Sequence, residues 1–285
     1  MNSGIAGSYD RGLNEEVDIY ENTFVDNFDA IECDGYWTNL RVWKNEIIRP
    51  MAGISAAPPL IGPRYFYRNV FYGMKGRRNE RYDPHFIGCY PVSSNYKGQA
   101  VGIKTNSGYA GKGIRGNLYF FNNTFFSSDT LGFVFTSWAG EWKKAVFINN
   151  IFAHENSYPI FYVNIANSPI NSNFQIHSVT DDYFTYNPNS VIIKAKHIHG
   201  QYNCTEVNSV DILQSTLTKL SGSPNILIQN PLQTNPNFNL TKNNMFELNN
   251  NSSLINAGTI IPGFYDYQGS KPDIGAKEKI VMQKN

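Results

Sequence analysis

The stretch NLYFFNNTFF, residues 117–126, sets aromatic side chains densely around a pair of asparagines. The phrase recurs. Aligned on its second asparagine, the chain reads Val17-Asp-Ile-Tyr-Glu-Asn22-Thr-Phe24, Leu40-Arg-Val-Trp-Lys-Asn45-Glu-Ile47, Arg64-Tyr-Phe-Tyr-Arg-Asn69-Val-Phe71, Leu118-Tyr-Phe-Phe-Asn-Asn123-Thr-Phe125 and Ala145-Val-Phe-Ile-Asn-Asn150-Ile-Phe152. The successive spacings are 23, 24, 54 and 27 residues, so one copy is expected to be skipped where the interval doubles. A period in the twenties marks a solenoid, in which each repeat buries its apolar face only against its neighbours.

Within each phrase apolar residues alternate, as in Leu118 and Phe120 or Leu40 and Val42, which is the period of a strand with one buried face. The asparagine fits a tight corner because it tolerates left-handed backbone angles and its amide bonds to local backbone. Stacked at one corner of successive coils, such amides form a ladder. Beyond most of these asparagines lies another short strand: Ala30-Ile-Glu-Cys-Asp34, Gly53-Ile-Ser55, Gly102-Ile-Lys104, Gly132-Phe-Val134 and Ile160-Phe-Tyr162. One coil therefore reads strand, asparagine corner, strand, variable loop, strand, variable loop. The fold class is all-β, a parallel β-helix with three sheets, and the aromatics are explained as ladders stacked along its axis. A β-sandwich has no need to repeat one asparagine register five times.

Composition agrees with an ordered chain: 285 residues, 14% aromatic and only 16% charged. A net charge of +1 gives no field suited to nucleic acid or an anionic membrane surface. No apolar run is long enough to span a bilayer, and MNSGIAGSYDRG lacks the basic and apolar parts of a secretory signal, so either the protein is cytoplasmic or the chain starts after processing. Cys33, Cys89 and Cys204 are odd in number and far apart, forming neither a disulfide framework nor a zinc pattern, and Cys33 reads as a small core residue. Residues 1–285 read as a single domain, with coils over about 17–204 and irregular chain packed along them over 205–285.

These repeats resemble the right-handed parallel β-helix proteins of the pectate-lyase superfold over about residues 17–200. The ending Ser270-Lys-Pro-Asp-Ile-Gly-Ala-Lys-Glu278 is similar to the closing segment of many bacterial members, over about 224–278. The resemblance is specific to architecture, since the superfold hosts lyases, hydrolases, esterases and non-catalytic adhesins. It implies an extracellular or periplasmic setting. It also implies an amphipathic helix capping the start, for which the residues before Val17 are too few; a preceding segment, an oligomer partner or another chain is then expected over the open end.

The resemblance further places the substrate groove on the sheet that follows the variable loop after the corner. There Ile31, Ile54, Ile103, Phe133 and Phe161 are expected to point inwards. Alternation then sends Glu32, Ser55, Lys104, Val134 and Tyr162 outwards in one column, and Asp34, Ala57, Asn106, Thr136 and Asn164 in another. On that register Glu32 and Lys104, two coils apart, are about 10 Å apart at the backbone, and Glu32 and Asp34 are roughly 6.6 Å apart along one strand, a spacing that suits paired catalytic carboxylates.

The segment between Asn69 and Ile103 is too long for a plain connection, and long loops in compact folds carry function. It brings Lys75, Arg77, Arg78, Arg81 and His85 together with Tyr82, Phe86 and Tyr90. Guanidinium pairs with carboxylate and ring faces stack on pyranose, so this mixture suits an acidic sugar. The opposite border of the groove adds Tyr36, Trp37, Tyr109, Lys112, Arg115, Trp138, Glu141 and Trp142, while Trp43 belongs to a coil strand and reads as packing. His197 and His199 lack a third ligand at a fixed spacing, GYAGKGIRGN lacks the strand-turn-helix context of a phosphate loop, and no nucleophile elbow is present.

The expected activity is therefore that of a polysaccharide lyase acting on a uronate-containing chain by β-elimination. Lys104 is the base, Arg78 or Arg81 neutralises the substrate carboxylate, and Tyr162 or His85 is the proton donor. Calcium held by Glu32 and Asp34 is an alternative neutraliser, and otherwise no cofactor is expected. Two further expectations are a glycoside hydrolase using Glu32 and Asp34, and a non-catalytic carbohydrate-binding or adhesive solenoid. In every case the partner is a polysaccharide or oligosaccharide.

Overall fold

The computed structural model describes residues 5–6, 13–56, 61–74, 99–103, 116–127, 133–138, 144–155, 161–164, 175–188, 192–196, 204–215, 226–241 and 245–279. Among them, three parallel sheets wrap one interior. Sheet 2, preceding the asparagine corner, comprises Asp18–Tyr20, Leu40–Trp43, Arg64–Tyr67, Asn117–Phe121, Lys144–Ile148, Gln175–Val179 and Ile226–Gln229. Sheet 3, following the corner, comprises Thr23–Val25, Glu46–Ile48, Val70–Tyr72, Thr124–Ser127, Ile151–His154 and Asp182–Thr185. Sheet 1 runs Ile5–Ala6, Asp29–Glu32, Ala52–Ala56, Gln99–Ile103, Phe133–Trp138, Phe161–Asn164 and Ile193–Lys196, and ends in the antiparallel Cys204–Val207. The protein is a parallel β-helix, as the repeated phrase implies.

The ladder at the corner is continuous. Asn22 and Asn45 are joined by an amide bond of 3.1 Å, Asn45 and Asn69 by 3.0 Å, Asn69 and Asn123 by 3.0 Å, and Asn123 and Asn150 by 2.9 Å. Each buried asparagine does three jobs. The Asn69 Oδ1 accepts from both the backbone N and the Nδ2 of Asn45, while its own Nδ2 donates to Val42 O across the corner. The direct bond from Asn69 to Asn123 corrects the expectation of a skipped copy: these are consecutive coils, and among the described residues the interval between Tyr72 and Asn117 contributes the strand Gln99–Ile103 to sheet 1.

The corner also shows where the left-handed backbone sits. It belongs to the residue before each ladder asparagine, namely Glu21, Lys44, Arg68, Asn122 and Asn149, all with φ between 49° and 58°. The asparagine itself supplies the amide bonds that hold this turn, so the two roles combined in the sequence reading fall on neighbouring residues. A left-handed non-glycine residue costs on the order of 1 kcal/mol. That cost recurs once per coil and is offset by the buried amide ladder.

Inside, the aromatic residues stack in files. Phe66, Phe120 and Phe147 lie 4.9 Å apart from ring to ring, and Phe71, Phe125 and Phe152 follow at 4.8 and 5.0 Å with Tyr183 next at 5.4 Å. Parallel in-register coils put like residues one strand spacing apart, which is the offset-stacking distance of aromatic rings. The files and the ladder are therefore two readouts of one register.

The last rung differs. Asp181 takes the asparagine position and accepts from the backbone N and the Nδ2 of Asn150 at 2.7 and 2.8 Å. Its second oxygen lies 2.5 Å from Ser178 Oγ, which is 2.6 Å from the Tyr183 hydroxyl. Burial pushes this carboxyl up to about 7, and its neighbour Asp182 to about 8.

The chain beyond residue 230 runs along the outside. Phe238, Phe246, Leu248, Leu254, Ile274 and Ala276 pack against Val70, Phe126, Ile151 and Ala153 on the outer face of sheet 3. The final motif is a clasp on the asparagine corner. The Gly275 N donates to Asn149 O, Ala276 N to Thr124 Oγ1, and Asn122 Nδ2 to Asp273 O. Asp273 caps the turn by accepting from Asn256 N and Lys279 N, and Glu278 accepts from Asp273 N and from Arg68. Gly275 sits at φ +104, and a Cβ there would lie 2.7 Å from Ile151 Cδ1, so both backbone and space require glycine.

Asn69→Ala takes the side-chain partner from the Asn45 backbone N and from the Val42 carbonyl and removes one of three acceptors from Asn45 Nδ2, so it lowers unfolding free energy by about 3 kcal/mol in a denaturant titration. Asp181→Asn tests the last rung. A carboxyl raised from about 3.9 unfolded to near 7 folded favours the fold below pH 4, and that advantage is lost at up to about 1.4 kcal/mol per unit as pH rises through 7. The asparagine variant keeps the ladder acceptor and flattens this decline in a melting-temperature series from pH 4 to pH 8.

Candidate functional site

The three corners of a coil are not equivalent. Between sheets 2 and 3 every described coil turns in two residues, as in Arg68-Asn69 or Asn122-Asn123, because the ladder fixes that length. Connections of varying length fall only at the two borders of sheet 1. Residues 49–51 lead into Ala52–Ala56, whereas residues 73–98 lead into Gln99–Ile103. On the other border, 104–116 leave sheet 1 in one coil and 139–143 in the next. Sheet 1 is the face that the sequence surrounds with variable chain.

Its register is fixed by the pairing. Ile31 stands opposite Ile54, Ile54 opposite Val101, Val101 opposite Phe135, Phe135 opposite Phe161 and Phe161 opposite Ile193. The row through Glu32 therefore contains Ser55, Gly102, Thr136, Tyr162 and Lys194. This corrects the expected column in two places. Val101 and Phe135 stand where Ile103 and Phe133 were expected, two residues away in each case, and Gly102 holds the place in the row of Glu32 expected for Lys104. The cause is the long excursion, which removes any fixed count from corner to strand and makes the repeated Gly-Ile pair misleading. Tyr162 does share that row, and Trp138 stands opposite Asn164 on the same sheet.

Glu32 is half-buried on this face. Asp34 is not exposed beside it: its side chain is buried, and Oδ1 accepts from Ser55 Oγ at 3.1 Å. Trp37 is buried as well and packs in the interior cluster with Leu40 and Ile31, so it is no groove tryptophan. Tyr36 is half-buried, and its carbonyl accepts from Asn14 N. Lys104, Arg78, Arg81, His85, Tyr109, Arg115 and Trp142 lie outside the described residues, as do Lys75, Arg77, Lys112, Glu141, His197 and His199.

Two arrangements escaped the sequence reading. The first is Arg64, which occupies the interior position of Leu40 and Leu118 yet is a fully buried guanidinium. It donates to the carbonyls of Cys33 and, at 2.6 Å, Gly35, and its Nε has no partner among the described residues. Burial pulls its pKa down from the ordinary arginine value, against the upward pull of Cys33 and Asp34. Arg64 thus ties the end of the Asp29–Glu32 strand, with Asp34 and Tyr36, to the interior. Cys33 lies in the same knot, its thiol 3.1 Å from Ser55 O and pushed up to about 12 by burial, which suits a core residue and not a nucleophile. The signal was available: an arginine stands where every other copy of the phrase has an apolar residue.

The second is an aromatic tower outside sheet 2. Tyr20, Trp43 and Tyr67 stack with ring separations of 4.4 and 5.9 Å and interplanar angles of 6° and 2°. Trp43 Nε1 donates to Asp18, which also holds Arg41 through bonds of 2.7 and 2.6 Å, and Lys44 Nζ lies 5.3 Å from the Trp43 ring. Lower down, Phe264 meets Tyr67 and Phe121 edge-on and closes the tower. Because the rings cover one another's faces, they present edges to solvent. The tower is packing in register more than a platform for stacking sugar.

Among the described residues no group of three or more His, Cys, Asp or Glu side chains is placed to hold a metal ion, and no helix is long and apolar enough to cross a membrane. No protein-family model, curated protein or solved structure matches this chain.

Arg64→Ala removes the charge that anchors two carbonyls and leaves a void, and it is expected to cost about 3 kcal/mol. Arg64→Met refills the volume with an apolar chain, as in the neighbouring coils, and is expected to restore most of that loss. Hydrogen exchange separates the two roles: in Arg64→Met the amides of residues 33–37 exchange faster, while those of the asparagine ladder do not.

Proposed function

We propose that the protein is a polysaccharide-active enzyme working along the outer face of sheet 1, and that its reaction is β-elimination on a uronate-containing chain. The observation that carries the reading is the concentration of all variable-length chain at the two borders of that sheet, opposite a corner held at constant length. A rigid scaffold that varies only around one face is built to present side chains there. The segments at those borders bring the basic and aromatic residues that an acidic sugar requires: Arg78, Arg81 and His85 precede the Gln99–Ile103 strand, and Lys104 follows it directly.

In this reading Lys104 abstracts the proton beside the uronate carboxylate, and a cationic surrounding lowers its pKa towards neutrality. Arg78 or Arg81 neutralises the carboxylate and so stabilises the charge that develops on it. Tyr162 or His85 protonates the leaving oxygen. Trp138, Trp142, Tyr109 and Arg115 line the far border, and calcium is an alternative to arginine as the neutraliser. The hydrolase reading is weaker, because it needs Glu32 and Asp34 both free to act, and Asp34 is buried against Ser55.

The test is the ultraviolet absorbance of the unsaturated uronate released from a panel of uronate polysaccharides, with calcium and with chelator. A rise that Lys104→Ala lowers by about three orders of magnitude, with the melting temperature unchanged, supports the reading. A flat trace across the panel, with the polysaccharide still bound, sinks the enzyme and leaves a binding solenoid.

A further inference from the structure

At the far end of the asparagine corner, away from sheet 1, a cleft of about 760 Å³ opens between residues 230–234 and the external chain at 253–260. Its size suits one or two sugar rings. Both walls are held by hydrogen bonds. On one side Leu232 N donates to Asp181 O, Tyr183 N to Leu232 O, and Thr234 N to Asp182 Oδ1, at 2.9, 2.9 and 2.8 Å. On the other, Thr259 N donates to Asn149 Oδ1 at 2.7 Å, and Asn149 Nδ2 returns a bond of 2.9 Å to Thr259 O. A cleft with fixed walls loses little freedom when a ligand enters.

The lining has a definite chemistry. Lys271 is its one charged side chain, and no carboxylate lines it among the described residues. The hydroxyls of Thr180, Thr234, Ser253 and Thr259 and the amide of Asn230 surround an apolar part formed by Leu232, Leu254 and Ile260. Buried Asp182 lies against Leu232 and Thr234. Burial raises its carboxyl to about 8, and Oδ1 is taken up by the Thr234 N.

We infer that this cleft is a second saccharide site, binding the carboxylate of a single acidic sugar residue at Lys271, its hydroxyls at Thr234, Ser253 and Asn230, and its C–H face on Leu232 and Ile260, with Leu254 as the floor and Thr180 and Thr259 bonded to each other behind it. The site stands on its own lining; the choice of a uronate over other acidic sugars rests on the function proposed above. A site remote from the groove would hold one end of a long chain whose middle is being processed, raising the local concentration of substrate.

Methyl-labelled protein reads the cleft directly. Leu232, Leu254 and Ile260 report on it, and Ile31 and Ile54, in the interior behind sheet 1, are the reference that shows the fold unchanged. Titration with galacturonate and with glucuronate is expected to move the cleft methyls saturably and leave Ile31 and Ile54 in place. Galactose and glucose should act about tenfold more weakly, and Lys271→Ala, at an exposed position, should weaken the uronates by at least about tenfold. Equal response to inorganic phosphate would make this a plain anion site and overturn the proposal. So would neutral sugars binding as well as uronates, or Lys271→Ala without effect. None of these outcomes bears on sheet 1, whose own test is the lyase assay.

Discussion

The amide ladder at the corner between sheets 2 and 3 is the constraint from which the rest follows. A buried asparagine whose side chain must bond the coil above, the coil below and a carbonyl across the turn has one position available to it. Fixing that position fixes the two-residue corner, and the corner fixes the register of both adjoining strands. Register then decides that Phe66 lies on Phe120 and Phe71 on Phe125. The packing energy of the interior is thus obtained through a polar device, whose own net contribution per bond is modest.

A rigid corner also assigns freedom elsewhere. Since the chain must return to the same corner once per coil, excursions are confined to the borders of sheet 1, and the interval from Asn69 to Asn123 accommodates a long one without breaking a rung. The interior tolerates one comparable exception. Arg64 replaces a leucine, and its charge is accepted by two carbonyls at the end of the neighbouring strand, which turns a defect in the apolar file into an anchor for the Cys33–Trp37 segment. Both departures from the repeat lie beside sheet 1.

Much of this was legible in the residues. The five phrases gave the solenoid, the three sheets and the ladder, because aromatic alternation around a fixed asparagine is demanded by stacked coils and by little else. The sixth rung was not seen, since Asp181 preserves only the acceptor half of the amide. The left-handed residue was assigned one position late, because asparagine is the usual suspect for such angles, whereas here Glu, Lys and Arg adopt them under the pull of the ladder. Lys104 was placed in the row of Glu32 by matching Gly-Ile pairs, and only strand pairing shows the slip of two. Asp34 and Trp37 were read as exposed, although their burial depends on Arg64 and on the interior of the neighbouring coil, which alternation along one strand does not report.

The closing segment has a mechanical meaning beyond covering sheet 3. In a stack where each coil touches only its neighbours, opening propagates one rung at a time and the whole is no more cooperative than its weakest junction. The chain from Thr259 to Glu278 contacts Arg68, Asn122, Asn149 and Thr180, which are the corner residues of four successive coils. It acts as a splint, so that separating any two of those coils means breaking the brace as well. Among the described residues, the coil of Asn45 meets it through the Lys277–Glu46 pair and the charge of Lys44 near Asp266. The molecule is therefore graded along its axis, with the coils of Arg68, Asn122, Asn149 and Thr180 tied by the brace as well as by their own rungs.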